Sequence, residues 1–239
     1  MIIIPARIGS TRFPNKVLAD IDGIPMVVRT AMAAAHVDSV TIATDAQEVV
    51  DIAAAHDIRA VLTSDTHESG TDRIYEAAQI LGLKEDEIVI NVQGDEPFIE
   101  TEVIEAVYNL TKRNARNEKI LMNSCYKVIN GPEADDPNIV KVVTDSNDIA
   151  LYFSRAKIPY PRDHHNDTYK GHVGIYGFTM RSLAQFCALT PSPLEHIEKL
   201  EQLRTLYYGY EVAMTRVQTE SFGIDTPEDL QKALQHHRL

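Results

Sequence analysis

The sequence predicts an α/β fold with a mostly parallel central sheet, flanking helices and an inserted β-rich subdomain. In the first half of the chain, short apolar segments alternate with segments of helical periodicity, a pattern typical of a parallel sheet covered by helices. After residue 120 strand-like segments follow one another, which favours antiparallel pairing. Because 239 residues with 44% hydrophobic composition suffice for one large core, we expect a single domain.

The predicted elements begin with a strand over residues 2–4, whose isoleucines suit a central strand buried on both faces and which Pro5 ends. There follow helix 26–36, strand 39–43, helix 46–56, strand 59–62, helix 70–81, strand 88–92 and helix 102–114. The second half predicts strands 120–128, 139–144, 149–153 and 173–178, and one helix over 194–207. Its polar segment 161–171 is expected to be a mobile loop.

A polar loop with three cations follows the first strand directly. Its small residues and hydroxyls allow close backbone approach, and Gly9 permits an unusual backbone angle. Charged donors at this point of a sheet suit a polyphosphate, although a solvated basic loop would contain the same residue types. The spacing matches neither a Walker A loop nor a dinucleotide-binding Gly-x-Gly-x-x-Gly. The candidate contacts are Arg7 and Lys16, together with Ala6, Ser10 and Arg12.

Two aspartates stand at turns where a ligand could bind. Asp95 follows the predicted strand 88–92, and ligands of open α/β sheets bind at this carboxyl edge. Asp225 precedes the last predicted helix and follows Gly223, which permits a tight approach. Mg²⁺ needs few protein carboxylates because phosphates and water complete its coordination, so one aspartate from each segment is enough. In the alternative interpretation, Asp225 or Thr226 only caps the helix.

Two further segments have the residues of a helix start. Asp45 followed by Glu48 matches a capping box, which explains Asp45 without any role in catalysis. The run Ser-Gly-Thr-Asp-Arg at 69–73 could let a flat base lie against backbone donors. Ser-x-x-Asp before an apolar run is also an ordinary helix cap, so both interpretations stay open.

The chain resembles the nucleotidyltransferases that activate an acidic sugar with CTP, specifically the 3-deoxy-manno-octulosonate (Kdo) cytidylyltransferase family, the CMP-Kdo synthetases. The resemblance covers nearly the whole chain, and its motifs occur in the family's order. Asn15 and Val17 depart from the family's Gly and Pro, but asparagine tolerates left-handed backbone angles. The matching segments are 2–16, 44–45, 69–73, 91–97, 151–155, 158–159, 174–177, 191–195, 201–204 and 223–230.

This resemblance implies the nucleotide-diphospho-sugar transferase fold and the roles of several residues. The catalytic residues would be Arg7, Lys16, Asp95 and Asp225, the two aspartates holding Mg²⁺. The nucleotide contacts would be Ala6, Ser10, Arg12, Ser69, Gly70 and Arg73, the last three reading cytosine. Residues 1–119 would bind the nucleotide, 120–222 would bind the sugar and form a homodimer, and 223–239 would form a metal-ligand turn and helix.

The sugar-binding residues are also taken from the resemblance. Arg155 and Arg162 are candidates for the sugar carboxylate, although structural ion pairs are an alternative for both. Glu195 and Glu198 lie three apart on one predicted helical face, so both could point into one cleft, or face solvent. The remaining family positions around the sugar are Gln93, His172 and Tyr176, of which the histidine could instead be structural.

The implied reaction is transfer of CMP from CTP to the anomeric hydroxyl of Kdo, with release of pyrophosphate, for lipopolysaccharide synthesis. The hydroxyl would attack the α-phosphate in line while Arg7 and Lys16 hold the triphosphate, so no protein nucleophile is required. One alternative is a cytidylyltransferase for another acidic sugar, such as 8-amino-Kdo or a sialic acid. Another is a non-catalytic nucleotide-binding regulator that keeps the fold.

Composition excludes several other partners. A net charge of −12 makes nucleic acids and anionic membranes poor partners, and no apolar run is long enough to span a bilayer. The two cysteines, Cys125 and Cys187, form no Cys-x-x-Cys pair, so we expect buried thiols and a cytoplasmic location. The histidine pairs at 164–165 and 236–237 lack metal-ligand spacing and are expected to face solvent.

Overall fold

The apolar strand at the start of the chain is central in the fold, as its composition predicts. The computed structural model describes residues 1–9, 13–163 and 168–236. In it, Ile2 and Ile4 pack into one hydrophobic cluster and Ile3 packs into another. Because successive residues of a strand face opposite sides of a sheet, the two clusters lie on opposite faces. All three isoleucines are fully buried. The predicted α/β class, with helices on both faces of the sheet, is confirmed.

The elements of the described part are named here in chain order. The strands are β1 (Ile2–Ala6), β2 (Asp20–Ile21), β3 (Ile24–Pro25), β4 (Val40–Thr44), β5 (Arg59–Leu62), β6 (Ile88–Asn91), β7 (Ile120–Asn130), β8 (Lys141–Thr144), β9 (Ala150–Ser154), β10 (Thr168–Thr179) and β11 (Glu211–Arg216). The helices are α1 (Met26–Ala34), α2 (Gln47–Ala55), α3 (Gly70–Ile80), α4 (Thr101–Asn114), α5 (Gly131–Asp135), α6 (Met180–Ala188), α7 (Pro193–Glu198), α8 (Leu203–Tyr207) and α9 (Pro227–His236). A short 3₁₀ helix covers Lys16–Leu18.

Four strands form the parallel part of the sheet, in the order β6-β1-β4-β5. Ile2 of β1 lies opposite Val40 of β4 on one side and Ile90 of β6 on the other. Parallel neighbours need crossover connections, which α1, α2 and α3 supply between these strands. The carboxyl ends of β1 and β6 therefore meet at the same edge of the sheet.

The second half of the chain extends the same sheet. β10 pairs antiparallel with β6, placing Tyr176 opposite Asn91, and β7 pairs antiparallel with β10. β11 then adds to β7 in parallel, while the β8–β9 hairpin branches from β10 at Gly171. The expected antiparallel insertion is therefore present, and it is continuous with the parallel strands within the described residues.

The helix predicted over 194–207 is broken, so this prediction is wrong. α7 ends at Glu198, and Lys199 takes the left-handed conformation with φ of 54°. That conformation usually belongs to glycine at a helix end, so a lysine there does not mark the break in sequence. The chain then starts α8 at Leu203.

Three other second-half elements were missed or misplaced. The sequence pattern did not predict α5, α6 or β11, although α6 starts with a capping box of Thr179 and Ser182. The expected loop 161–171 is shorter than predicted, because residues 168–171 already belong to β10, whereas residues 164–167 lie outside the described residues.

None of the helices in the described part combines the length and the apolar composition needed to cross a bilayer.

Two glycines of β10 provide a matched test of the packing. A Cβ on Gly177 would overlap Thr111 Oγ1 and lie 3.1 Å from Ile90 Cδ1, whereas a Cβ on Gly174 would meet nothing within 4 Å among the described residues. Gly177→Ala should lower the free energy of unfolding by about 1–3 kcal/mol. Gly174→Ala should change it by less than about 0.5 kcal/mol. Urea denaturation measures both, and equal losses would contradict this packing.

Candidate active site

A polar cleft of about 350 Å³ opens at the carboxyl edge of the parallel strands. The loops after β1 and β6, the start of α3 and the turn before α9 form its walls. This is where ligands of open α/β sheets bind. The structure thus brings together many of the predicted site residues, which line the cleft as Ala6, Arg7, Lys16, Ser69, Gly70, Arg73, Gln93, Asp95 and Asp225.

Lys16 lies between the two predicted metal ligands. Its ammonium donates to Asp95 Oδ2 at 2.5 Å and to Asp225 Oδ1 at 2.9 Å, and only 13% of the lysine side chain is exposed. Burial by itself lowers the pKa of Lys16, but attraction and hydrogen bonds from the two carboxylates outweigh it, so the pKa is raised. The sequence predicted a phosphate-binding lysine here, and the double ion pair is an additional finding.

Backbone contacts hold the two aspartates side by side. The amide of Ile224 donates to the carbonyl of Asp95 at 2.9 Å, which fixes the residue before Asp225 against the β6 loop. A Cβ on Gly94 would lie 2.9 Å from the Pro5 carbonyl oxygen, so glycine allows this loop to approach β1. The position of the carboxylates therefore depends on contacts between segments that are distant in sequence.

Thr226 caps α9, as one of the two interpretations of this turn predicted. Its hydroxyl accepts from the Asp229 amide at 3.2 Å, and Asp229 Oδ2 accepts from the Thr226 amide at 3.0 Å. Thr226 therefore supplies the helix cap, and Asp225 Oδ1 accepts from Lys16. The expected tight approach at Gly223 is absent, since a Cβ there would meet Glu96 at an ordinary 3.5 Å.

The chemistry of the two aspartates fits Mg²⁺. One or two carboxylates are the usual protein contribution to a Mg²⁺ site that also binds phosphates. Among the described residues no three His, Cys, Asp or Glu side chains converge on one point, so substrate and water oxygens would complete the coordination. The neighbouring Glu96 is buried and accepts from Ser221 Oγ; burial, together with Asp95, raises its pKa to about 7.

The first loop keeps part of its predicted form. Asn15 has φ of 54°, so it takes the left-handed angle that glycine would otherwise supply, as predicted. Gly9 does not have a positive φ, which corrects the expectation of an unusual backbone angle there. Arg7 is exposed at the cleft, and Ala6 is buried at the end of β1. Ser10 and Arg12 lie outside the described residues.

The start of α3 has well-defined contacts of its own. Ser69 caps the helix by accepting from the Asp72 amide, which confirms the ordinary cap interpretation of this motif. Gly70 packs against Pro5, whose Cγ would lie 3.1 Å from an added Cβ. The Ser69 hydroxyl is therefore engaged within the cap, since it also donates to Asp72 Oδ2 at 2.8 Å.

Arg73 is buried in the framework beneath the cleft. Its guanidinium donates to Asp45 Oδ2 at 2.8 Å and to Thr63 Oγ1 at 2.7 Å, and its side chain is almost fully buried. The capping role predicted for Asp45 is wrong, because α2 begins after Ala46 without a side-chain cap. Asp45 instead compensates the buried charge of Arg73. Direct contact of Arg73 with cytosine stays a prediction.

A chain of polar side chains leads away from Gln93. Gln93 Nε2 donates to Asn91 Oδ1 at 3.3 Å, and Thr71 Oγ1 donates to Glu201 Oε1 at 2.7 Å. Asn91 Nδ2 lies 3.5 Å from Thr71 Oγ1 and connects the two pairs. Burial raises the pKa of Glu201 to about 7. Glu201 was not selected from sequence, although it lies in a matching segment, 201–204.

Tyr176 is buried and His172 is half-buried next to this chain. The imidazole of His172 makes an edge contact with Phe153, at 5.0 Å between ring centroids, and its Nε2 lies 2.9 Å from Ser124 Oγ. Tyr176 donates to Gln202 Oε1 at 3.3 Å. Gln202 Nε2 is buried and has no hydrogen-bond partner among the described residues. Such a buried donor is unusual, and Gln202 was not selected from the sequence.

The charged residues proposed for the sugar have framework contacts instead of a shared cleft. Glu195 accepts from Arg204 at 2.7 and 2.9 Å, whereas Glu198 accepts from Ser154 Oγ at 2.6 Å and from the Arg155 amide at 2.9 Å. The expectation that the two glutamates point into one cleft is therefore corrected. The guanidinium of Arg155 donates to backbone carbonyls, including that of Glu198, and Arg162 is exposed. Their roles in sugar binding stay predictions.

Comparison with known proteins adds to this geometry. The sequence model of the family described as Cytidylyltransferase matches residues 1–233. The chain is 57% identical over 232 residues to 3-deoxy-manno-octulosonate cytidylyltransferase of a Nitratiruptor species, with 97% of each chain covered. The protein of the same name from Wolinella succinogenes is 53% identical over 238 residues, with 98% of each covered. The chain belongs to the cytidylyltransferase family.

A solved structure supports the same assignment. CMP:2-keto-3-deoxy-manno-octonic acid synthetase complexed with CTP is 37% identical and superimposes with a TM-score of 0.89, covering 98% of this chain and 96% of that one. The family predicted from the sequence motifs is thus confirmed, and the departures at Asn15 and Val17 do not alter the assignment. In this cytidylyltransferase, His67 also lines the cleft, although it was not selected from the sequence. Its Nε2 forms a hydrogen bond with Glu76 Oε2.

His172 should stay neutral in the native cytidylyltransferase. Burial lowers its pKa to about 3, whereas a histidine in the unfolded chain has a pKa of about 6.5. Between these values the unfolded state binds a proton that the native state does not, so acidification from pH 7 to pH 4 should reduce stability. In imidazole NMR spectra the His172 signal should not shift between pH 7 and pH 5. A normal titration of His172 would refute its burial.

Proposed function

We propose that this chain transfers CMP from CTP to the anomeric hydroxyl of Kdo and releases pyrophosphate, as an enzyme of lipopolysaccharide synthesis. The names of its relatives supply the two substrates, and the similarity extends over nearly the whole chain. The single observation that carries the proposal is the convergence of Lys16, Asp95 and Asp225 in one cleft at the carboxyl edge of the sheet. A cation that can bind phosphate and two carboxylates that can bind a metal ion, all in one cleft, suit transfer of a nucleotidyl group.

The loop after β1 would hold the triphosphate. Arg7 is exposed at the cleft and Lys16 is within it, so both can give charge-assisted hydrogen bonds to phosphate oxygens. Positioning of the α-phosphate for in-line attack is the main requirement of this reaction, which needs no protein nucleophile. Asp95 and Asp225 would hold Mg²⁺, which supplies charge neutralisation at the phosphates when bound.

Cytosine would bind at the start of α3. Ser69 and Gly70 line the cleft there, and Arg73 fixes the loop beneath it through Thr63 and the carbonyl of Ser64. Cytosine has an exocyclic amine where uracil has an acceptor, so selectivity requires a carbonyl acceptor from the loop before α3, which would be left unpaired by uracil. We therefore assign nucleotide selectivity to backbone positions that Arg73 holds in place.

The sugar would bind between the cleft and the second half of the chain. Gln93 lines the cleft, and its hydrogen-bonded chain through Asn91 and Thr71 ends at Glu201. These amide and hydroxyl groups suit the hydroxyls of a sugar ring. In this proposal the nucleotide part, residues 1–119, also contributes Gln93, Asn91 and Thr71 to the sugar, and the sugar part, residues 120–222, contributes Glu201.

The assembly and the location are further proposals. Several large apolar side chains of the second half are exposed among the described residues, with Leu151 at 61% and Ile197 at 78%, and they support a homodimer through this half. Sedimentation velocity would measure that state. Cys125 and Cys187 are both free thiols in the described structure, which suits a reducing cytoplasm.

Pyrophosphate release tests the function directly. With Kdo and Mg²⁺ present, CTP should be preferred over UTP by on the order of a hundredfold in kcat/KM, because uracil leaves polar groups of the pocket unpaired. Kdo, 8-amino-Kdo and a sialic acid are compared as acceptors, and reactions without sugar separate transfer from hydrolysis. Removal of Mg²⁺ by EDTA should abolish release, and its addition should restore it. Equal rates with CTP and UTP, or release that needs no acidic sugar, would refute the proposal.

A further inference from the structure

Lys16 fills the space in which a cation could contact both candidate metal ligands. Its nitrogen is 2.5 Å from Asp95 Oδ2 and 2.9 Å from Asp225 Oδ1. A Mg²⁺ ion needs oxygens at about 2 Å. A divalent ion held by these same two oxygens would therefore lie against the ammonium group, and the two positive charges would repel each other strongly in a partly buried site.

We propose that the Lys16 ammonium occupies the metal position between Asp95 and Asp225 when no nucleotide is bound. A nucleoside triphosphate then becomes the new partner of the ammonium, which leaves this position to the metal ion. This inference rests on the proposed function, since it assigns the triphosphate as the new partner of the lysine. Metal and nucleotide then bind cooperatively through a single side chain. The phosphates release the carboxylates, and the released carboxylates take the metal.

The local structure allows the side chain to move without the backbone. Val17, the next residue, is buried in the core cluster with β1, and the 3₁₀ helix of Lys16–Leu18 is closed by a hydrogen bond from the Ala19 amide to the Lys16 carbonyl. The main chain is thus anchored. The four-carbon stem of lysine carries a compact charge with rotatable donors, so the ammonium can exchange one set of oxygen partners for another. Arg7, which also lines the cleft, marks where the phosphates would lie.

Charge balance gives the exchange a direction. Without nucleotide, displacement of the ammonium by a metal ion leaves Lys16, whose side chain is only 13% exposed, without its two anionic partners. With a triphosphate present, the lysine gains new anionic oxygens as it leaves the old ones. A ligand can shift such an equilibrium only through different affinities for the two states, and the triphosphate has this property here.

Binding of Mn²⁺ to the nucleotide-free enzyme, followed by electron paramagnetic resonance, tests the proposal. Lys16→Gln removes the competing charge and should tighten Mn²⁺ binding by about tenfold, within the usual range for coupling between two sites. The same variant should weaken CTP binding measured by calorimetry in EDTA, because a phosphate partner is lost. Opposite effects on the two ligands distinguish an exchanging lysine from a structural one, whose loss would weaken both.

A nearby lysine supplies the matched control. Lys127 donates to the carbonyl of Ser221, whose hydroxyl bonds to Glu96. Lys127→Gln removes one positive charge near the site without freeing either aspartate oxygen, so Mn²⁺ affinity should change by less than about twofold. If Lys16→Gln does not fold, Lys16→Met removes the same charge with a chain of similar length.

Two results would overturn the proposal. Either Lys16→Gln and Lys16→Met bind Mn²⁺ no more tightly than the wild type, or the Lys127→Gln control tightens binding as much as they do. None of these titrations contains a sugar acceptor. A failure to form CMP-Kdo would therefore refute the proposed function separately, while the metal titrations would still decide whether Lys16 competes with the ion.

Discussion

The contact of one ammonium group with the carboxylates of Asp95 and Asp225 is the constraint on which the candidate site depends. It joins the loop after β1, the loop after β6 and the turn before α9. Two carboxylates that have lost part of their hydration are stable side by side only with a cation between them. The ammonium therefore neutralises one of the two negative charges, and in the proposed exchange the identity of the cation decides which groups are available to phosphate.

Close backbone packing places that unit at the edge of the sheet. Gly94 and Gly70 both approach Pro5 at the end of β1, and the Thr30 hydroxyl donates to the Gly94 carbonyl at 3.2 Å. Dense interiors respond to added atoms by shifts of whole segments. A side chain at Gly94 would push the Asp95 loop away from β1 and separate the carboxylates. The same edge carries the start of α3, so the proposed metal, phosphate and base positions would share one support.

Local patterns predicted the sheet, its polar edge and the left-handed angle at Asn15, because periodicity and turn chemistry depend on neighbours in the chain. Features that depend on distant residues were not predictable. Asp45 matches a cap motif, yet Arg73, brought close by the fold, takes its carboxylate. The break of the long helix at Lys199 arises from a left-handed residue that is not glycine. Glu195 looks like a surface residue in sequence, but Arg204 buries it in an ion pair.

A double-mutant cycle on turnover tests most directly whether the two aspartates act as one unit. Asp95→Asn, Asp225→Asn and the double variant are compared across Mg²⁺ concentrations, with Asp148→Asn, which removes the partner of Lys170 outside the cleft, as the control. Groups that act as a unit are strongly non-additive. Each single substitution should therefore remove most turnover and the double variant should be little worse, with the control close to wild type. A nearly wild-type Asp225→Asn enzyme, or losses that simply multiply, would contradict the shared site.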